Sequence, residues 1–208
     1  MLRSLLLLIL WALPLLGRAD TVLVLGDSLS AAYGMAANQG WVQLLQQRLV
    51  SETPGYQVVN ASISGDTTQG GLNRLPTLLQ QHQPSVVIIE LGGNDGLRGT
   101  PPVRIAQNLK QLVNLSKSRG AEVMLLGIRL PSNYGPAYNE RFSSLYQQVS
   151  DETGAALVPF FMAQVALKPE LMQADGLHPN AAAQPFLLDT VWPRLQPILK
   201  NVEENVAR

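Results

Sequence analysis

Apolar runs of strand length alternate along the chain with amphipathic stretches of helix length. The runs fall at residues 21–25, 57–61, 85–91, 123–127 and, more briefly, 156–159. The first, third and fourth are nearly continuous Val, Ile and Leu, as expected of strands covered on both faces in a parallel sheet. Between them apolar side chains recur at the helical period. They are Trp41, Leu44, Leu45 and Leu49, then Ile105, Leu109, Leu112 and Val113, then Phe142, Leu145, Tyr146 and Val149. A last group comprises Leu188, Val191, Trp192, Leu195 and Leu199. Asn38 is a candidate N-cap for the first of these helices. Gly120 and Gly154 mark helix ends before strands, and Pro185 marks the start of the last helix or a bend in it.

This alternation predicts the α/β class: a three-layer α/β/α sandwich with a flavodoxin-like parallel sheet of about five strands. Of 208 residues, 46% are hydrophobic and 14% charged, which suits one compact domain, residues 20–208, with no repeat or linker. The first 19 residues read differently. Arg3 precedes an apolar run at residues 5–16, interrupted by Pro14, and Gly17-Arg18-Ala19 offers small residues for cleavage. That is the layout of a secretory signal peptide cut after Ala19. About 12 apolar residues are too few for a helix to span roughly 30 Å of hydrocarbon, so the expected destination is the periplasm.

Loss of residues 1–19 would leave 13 basic against 15 acidic residues, with no basic cluster, so nucleic acid is a poor partner. The absence of cysteine excludes disulfides, thiol catalysis and cysteine–zinc sites. Nothing calls for a cofactor or a partner subunit, and a monomer is the expected state.

In a sheet of this type the functional crevice lies outside the carboxyl ends of the strands. Glycine and polar residues gather at those ends: Gly26-Asp27-Ser28, then Asn60 to Thr67, then Gly92-Gly93-Asn94-Asp95-Gly96, then Arg129 to Tyr134. Before the last helix stands "DGLHPN", running from Asp175 through His178 to Asn180. Ser28 and Ser30 are both candidate nucleophiles, and either needs a base. Of the two histidines, His82 ends a helix on the opposite edge of the sheet, where the helix dipole favours it. His178 has an aspartate three residues earlier, placed to hold Nδ1–H and leave Nε2 as base. The same segment also reads as a hydrogen-bonded loop aspartate beside a helix cap. Acyl transfer needs oxyanion donors as well, and the Ser28 N–H, the Gly65 N–H and the Asn94 amide are candidates.

With these residues set out, the resemblance becomes specific. Ser28 in "GDSL", Gly65 in "NASISGDT", Asn94 in "GGND" and Asp175/His178 in "DGLHP" resemble the four ordered blocks of the GDSL/SGNH hydrolases. The flanks, among them "LGDSLSAAYG", "IRLPSNYG" and "DGLHPNAAAQP", are similar to the periplasmic multifunctional thioesterase/protease/lysophospholipase group, over essentially the whole of residues 20–208. One departure is Ala32, where that group commonly has glycine.

The resemblance implies a serine esterase acting on carboxylic esters and thioesters, including acyl thioesters, lysophospholipids and aryl esters. Substrates of the lysophospholipid kind would entail transient contact with membrane lipid. The resemblance assigns Ser28 as nucleophile, His178 as base, Asp175 as orienter, and Ser28, Gly65 and Asn94 as the oxyanion hole. Ser30 is then expected to cap or pack within a first helical turn, and Asp27 and Asp95 to bind turn backbone. Loops at residues 96–100 and 130–138 could wall an acyl groove through Leu97, Leu130, Pro131 and Tyr134. Two rivals differ in class. One is a metal-dependent phosphoesterase using Asp27, Asp95, Asp175 and His178, which leaves Ser28 and Gly65 without a role. The other is a non-catalytic lipid- or small-molecule-binding protein on the same scaffold.

Overall fold

The computed structural model of the chain describes residues 20–206, so the expected signal peptide lies outside the described residues. Five strands form one parallel sheet: β1 (Asp20–Gly26), β2 (Tyr56–Asn60), β3 (Val86–Glu90), β4 (Glu122–Leu126) and β5 (Ala156–Val158). Their order is β2-β1-β3-β4-β5. The helices are α1 (Trp41–Glu52), α2 (Thr68–His82), the short α3 (Gly93–Leu97), α4 (Pro102–Lys117), α5 (Pro136–Thr153) and α6 (Gln184–Val206). The expected three-layer architecture is therefore present, and the strand bounds shift by at most one residue.

The strict two-residue period of the strands sorts the core into two layers. Val22, Val24, Ile88 and Met124 face α1 and α6, where Trp41, Leu45, Val191, Leu195 and Leu199 are buried against them. Leu23, Leu25, Val87, Ile89 and Leu125 face the other way, onto a layer that includes Leu75, Leu109, Leu112, Phe142 and Tyr146 of α2, α4 and α5. Because the order reverses between β1 and β3, their carboxyl ends form the switch point at which such sheets open a crevice. Gly26 pairs in register with Glu90, so the segments following these two strands emerge side by side.

Two local expectations are corrected. Asn38 does not cap α1: it lies in a 3₁₀ turn, Ala37–Gln39, and Gly40 occupies the cap position. The Trp41 N–H is instead satisfied by the buried Gln184 Oε1 of α6 at 3.0 Å, a tertiary cap with no local signature. Residues 28–34 form hydrogen-bonded turns with no helix, so Ser30 packs inward as expected but caps nothing. Ala32 there is left-handed, at φ 57°, which accounts for glycine being favoured at that position. Pro185 stands where expected, at the start of α6, which begins at Gln184 directly before it. Gly154 closes α5 in the left-handed conformation, as expected.

Gly127, just beyond β4, is a point of close backbone approach. Its N–H donates to the Val158 carbonyl and its own carbonyl accepts from the Phe161 N–H, both at 2.8 Å. A Cβ here would press on the Pro159 carbonyl oxygen, well inside van der Waals contact. Gly127→Ala is therefore expected to destabilise the fold by about 2–3 kcal/mol, lowering Tm by roughly 4–12 °C. Thermal unfolding followed by circular dichroism checks this, and an unchanged Tm would contradict the close packing of β4 on the segment after β5.

Candidate active site

Ser28 stands two residues beyond β1, at the switch point. The segment after β2 is tied to the same place: Ala61 N–H donates to Val24 O at 2.8 Å and Ile63 N–H to Gly26 O at 3.0 Å. This brings Gly65 to the carboxyl edge with φ +80°, a conformation that a side chain would strain. The Gly65 carbonyl accepts from Arg98 Nη2 at 3.1 Å. Asn94 is carried by α3, and its Nδ2 donates to Asp27 Oδ2 at 2.9 Å. An amide nitrogen has two hydrogens, so that bond leaves one N–H of Asn94 unspent.

His178 arrives from the far end of the chain on a loop held by several bonds. The Gln173 N–H donates to His178 O at 2.7 Å, and Gln173 Nε2 donates to Tyr33 O at 2.8 Å. Asn180 caps the turn that leads into α6, its Oδ1 accepting from the Ala183 N–H at 3.2 Å. The imidazole sits 4.5 Å from the Tyr33 ring, centroid to centroid. Its Nδ1–H donates to Asp175 Oδ2 at 2.6 Å, and Ser28 Oγ–H donates to Nε2 at 2.9 Å.

Asp175 serves the loop and the imidazole at once, which joins the two readings the sequence leaves open. Its Oδ1 accepts from the Leu177 N–H at 2.9 Å and the His178 N–H at 3.0 Å. The backbone bond from His178, then the imidazole bond, then the Leu177 bond hold the carboxyl down to about 2. It is therefore an anion throughout the neutral range, suited to stabilising an imidazolium.

Ser28, Asn94 and His178 share a cleft of about 110 Å³. Its apolar wall is built by Leu29, Leu97, Ile128, Leu130, Pro131 and Met162. Of the four residues proposed from the sequence for an acyl groove, Leu97, Leu130 and Pro131 line this cleft and Tyr134 does not. It braces the cleft rather than lining it, its hydroxyl donating to Leu97 O at 3.0 Å. A second groove of about 390 Å³ runs between α4 and α5 and shares no lining residue with the cleft, so its size gives it no part in the chemistry.

Asp95 binds the Thr68 N–H at 2.8 Å and the Thr68 hydroxyl at 2.6 Å, as a structural carboxylate. The buried Ser30 hydroxyl donates to Glu90 Oε2 at 2.8 Å and accepts from Trp41 Nε1 at 3.2 Å. Sequence reasoning misses Glu90, although a signal was there: it is the single charge in the central run "SVVIIEL". Among the described residues, no three His, Cys, Asp or Glu side chains gather into a group that could hold a metal ion.

A parallel α/β sheet whose switch point joins serine, imidazole and carboxylate is the framework of an acyl hydrolase. In keeping with that class, the family model of the GDSL-like Lipase/Acylhydrolase family matches residues 24–184. The chain belongs to this family, and it is an ester-hydrolysing enzyme. It is 56% identical to Esterase TesA of Pseudomonas aeruginosa over 181 residues, 87% of this chain and 90% of that protein. It is 51% identical to Thioesterase 1/protease 1/lysophospholipase L1 of Escherichia coli over 200 residues, 92% of this chain and 95% of that protein. Among solved structures, the psychrotrophic esterase EstA from Pseudoalteromonas sp., inhibited by monoethylphosphonate, matches with a TM-score of 0.83 at 46% identity. That match covers 87% of this chain and 99% of that one.

Proposed function

We propose that the protein hydrolyses carboxylic esters and thioesters by two-step acyl transfer through a Ser28 ester. The observation that carries this is the unbroken Asp175–His178–Ser28 chain of 2.6 and 2.9 Å bonds at the mouth of an apolar cleft. His178 Nε2 takes the Ser28 proton as Oγ attacks the carbonyl carbon, then returns it to the departing alkoxide or thiolate. Asp175 holds the imidazole in the tautomer this requires and stabilises its charged form. The Ser28 N–H, the Gly65 N–H and the free N–H of Asn94 receive the developing oxyanion. Water then attacks the acyl-serine with His178 again as base, releasing the acid.

Inhibition of the related EstA by a phosphonate and the name of the Escherichia coli relative support this chemistry and its substrate range. The pattern of residues 1–19 supports export to the periplasm by a cleaved signal peptide. The small cleft favours the first few carbons of an acyl chain, beyond which a longer tail passes over exposed Leu97 and Leu177.

A series of p-nitrophenyl esters tests the reading. The expected kcat/KM rises about fourfold per methylene while the chain still fits the cleft, the equivalent of about 0.8 kcal/mol each, and then levels off. A fluorophosphonate should label the protein once, and a chelator should leave the rate unchanged. Absence of hydrolysis at every chain length, with no labelling, would instead favour a binding protein on this scaffold.

A further inference from the structure

Beneath the cleft lies a buried pair of carboxyl groups that the proposed acyl transfer does not use. Glu90, the last residue of β3, is 0% exposed, and Asp27, directly before Ser28, is 2% exposed. Glu90 Oε2 accepts from Ser30 Oγ at 2.8 Å and from the Asp27 N–H at 3.3 Å. Glu90 Oε1 is buried without any donor to satisfy it. Asp27 Oδ1 accepts from the Leu29 N–H at 3.1 Å, and Asp27 Oδ2 accepts from Asn94 Nδ2 at 2.9 Å.

Two adjoining carboxyl groups, both buried, do not hold two negative charges. Burial, chiefly, and then the neighbouring Asp27 charge push Glu90 well above the ordinary carboxyl range. Burial pushes Asp27 up to about 6, opposed by the Leu29 N–H, by a hydrogen bond from Glu90 and by His178 and Asn94. A proton on Glu90 gives the orphaned Oε1 a hydrogen to donate.

We propose that Glu90 is a positioning residue for catalysis: its carboxyl donates to Asp27, and Asp27 in turn fixes the Asn94 amide so that its second N–H faces the cleft. The proposal rests on the oxyanion role given to Asn94 under the proposed function. Ser30 completes the device by donating to Glu90 Oε2 while its own oxygen accepts from Trp41 Nε1, which explains why a serine two residues after Ser28 is buried rather than reactive.

The test compares Glu90→Leu, Glu90→Gln and Asn94→Ala, singly and with Glu90→Leu combined with Asn94→Ala, in the mature protein. Folding is verified by circular dichroism, and kcat and KM are measured on one p-nitrophenyl ester. Asn94→Ala is expected to lower kcat by about 10²–10³. Glu90→Leu is expected to lower kcat by at least about tenfold, with KM within about threefold of the original, as for a lost transition-state interaction. Glu90→Gln, which keeps a donor and an acceptor in place, should restore kcat to within about threefold. Adding Glu90→Leu to Asn94→Ala should cost less than about threefold more, because the two act on one interaction.

Undiminished kcat in Asn94→Ala would overturn the oxyanion reading. A deficient Asn94→Ala combined with a fully active Glu90→Leu, or with independent multiplying losses, would overturn only the role of Glu90. If Glu90→Leu does not fold, Asp27→Asn decides: it keeps the shape and removes the anionic acceptor. A loss of kcat of about tenfold at constant KM then supports the relay, and full activity overturns it.

Discussion

Ser28→Ala is expected to abolish fluorophosphonate labelling and to reduce kcat by about 10⁴–10⁶, equivalent to roughly 5–8 kcal/mol of transition-state stabilisation. No other group among the described residues can replace it. Ser30 is 1% exposed and its hydroxyl is committed to Glu90 and Trp41, so it reaches neither the cleft nor His178. The fold should tolerate the change. Ser28 Oγ is bonded to His178 Nε2 alone among the described residues, and one such bond is worth about 1 kcal/mol. Tm should therefore fall by no more than about 2–4 °C. Measured turnover above about a thousandth of the original, in protein free of contaminating esterase, would assign the chemistry to another nucleophile.

Asp175→Asn should cost about 10⁴ in kcat while leaving the loop in place. The asparagine Oδ1 can still accept from the Leu177 and His178 N–H groups, which preserves the turn. Its Nδ2 would then confront His178 Nδ1 with a donor where the carboxylate offered an acceptor. The imidazole answers by moving its proton to Nε2, and in that tautomer it cannot take the Ser28 proton. Substrate binding makes no use of Asp175, so KM should stay within a few-fold. A variant retaining more than about a tenth of the original kcat would mean that Tyr33 and the backbone of the loop suffice to orient His178.

The architecture is legible in the sequence because it depends on repeats that burial imposes locally. Central strands covered on both faces must be apolar throughout, and the runs around Val22, Ile88 and Met124 are. Helices packed on a sheet must repeat at 3.6 residues, as Ile105, Leu109 and Leu112 do. The local misses share a different cause. Asn38 attracts the start of α1 because capping is sought among neighbours, whereas Gln184, 143 residues after Trp41, supplies the acceptor. Tyr134 sits on the right loop for an acyl groove, but its hydroxyl turns to Leu97 O instead.

The candidate site divides along the same line. Which groups are available can be read along the chain: a single histidine suited to the strand-carboxyl edge, an aspartate at the spacing of a turn before it, and serine, glycine and asparagine at successive strand ends. That Ser28 and His178, 150 residues apart, meet at 2.9 Å, and that Ser30 turns inward, follows from the folded arrangement of the strands. It alone brought Asp27 beside Glu90 and Asn94, because parallel pairing of β1 with β3 sets the ends of distant segments side by side. Side-chain chemistry is carried by residue identity and can be read along the chain. Distances between remote side chains arise only when the sheet closes its register.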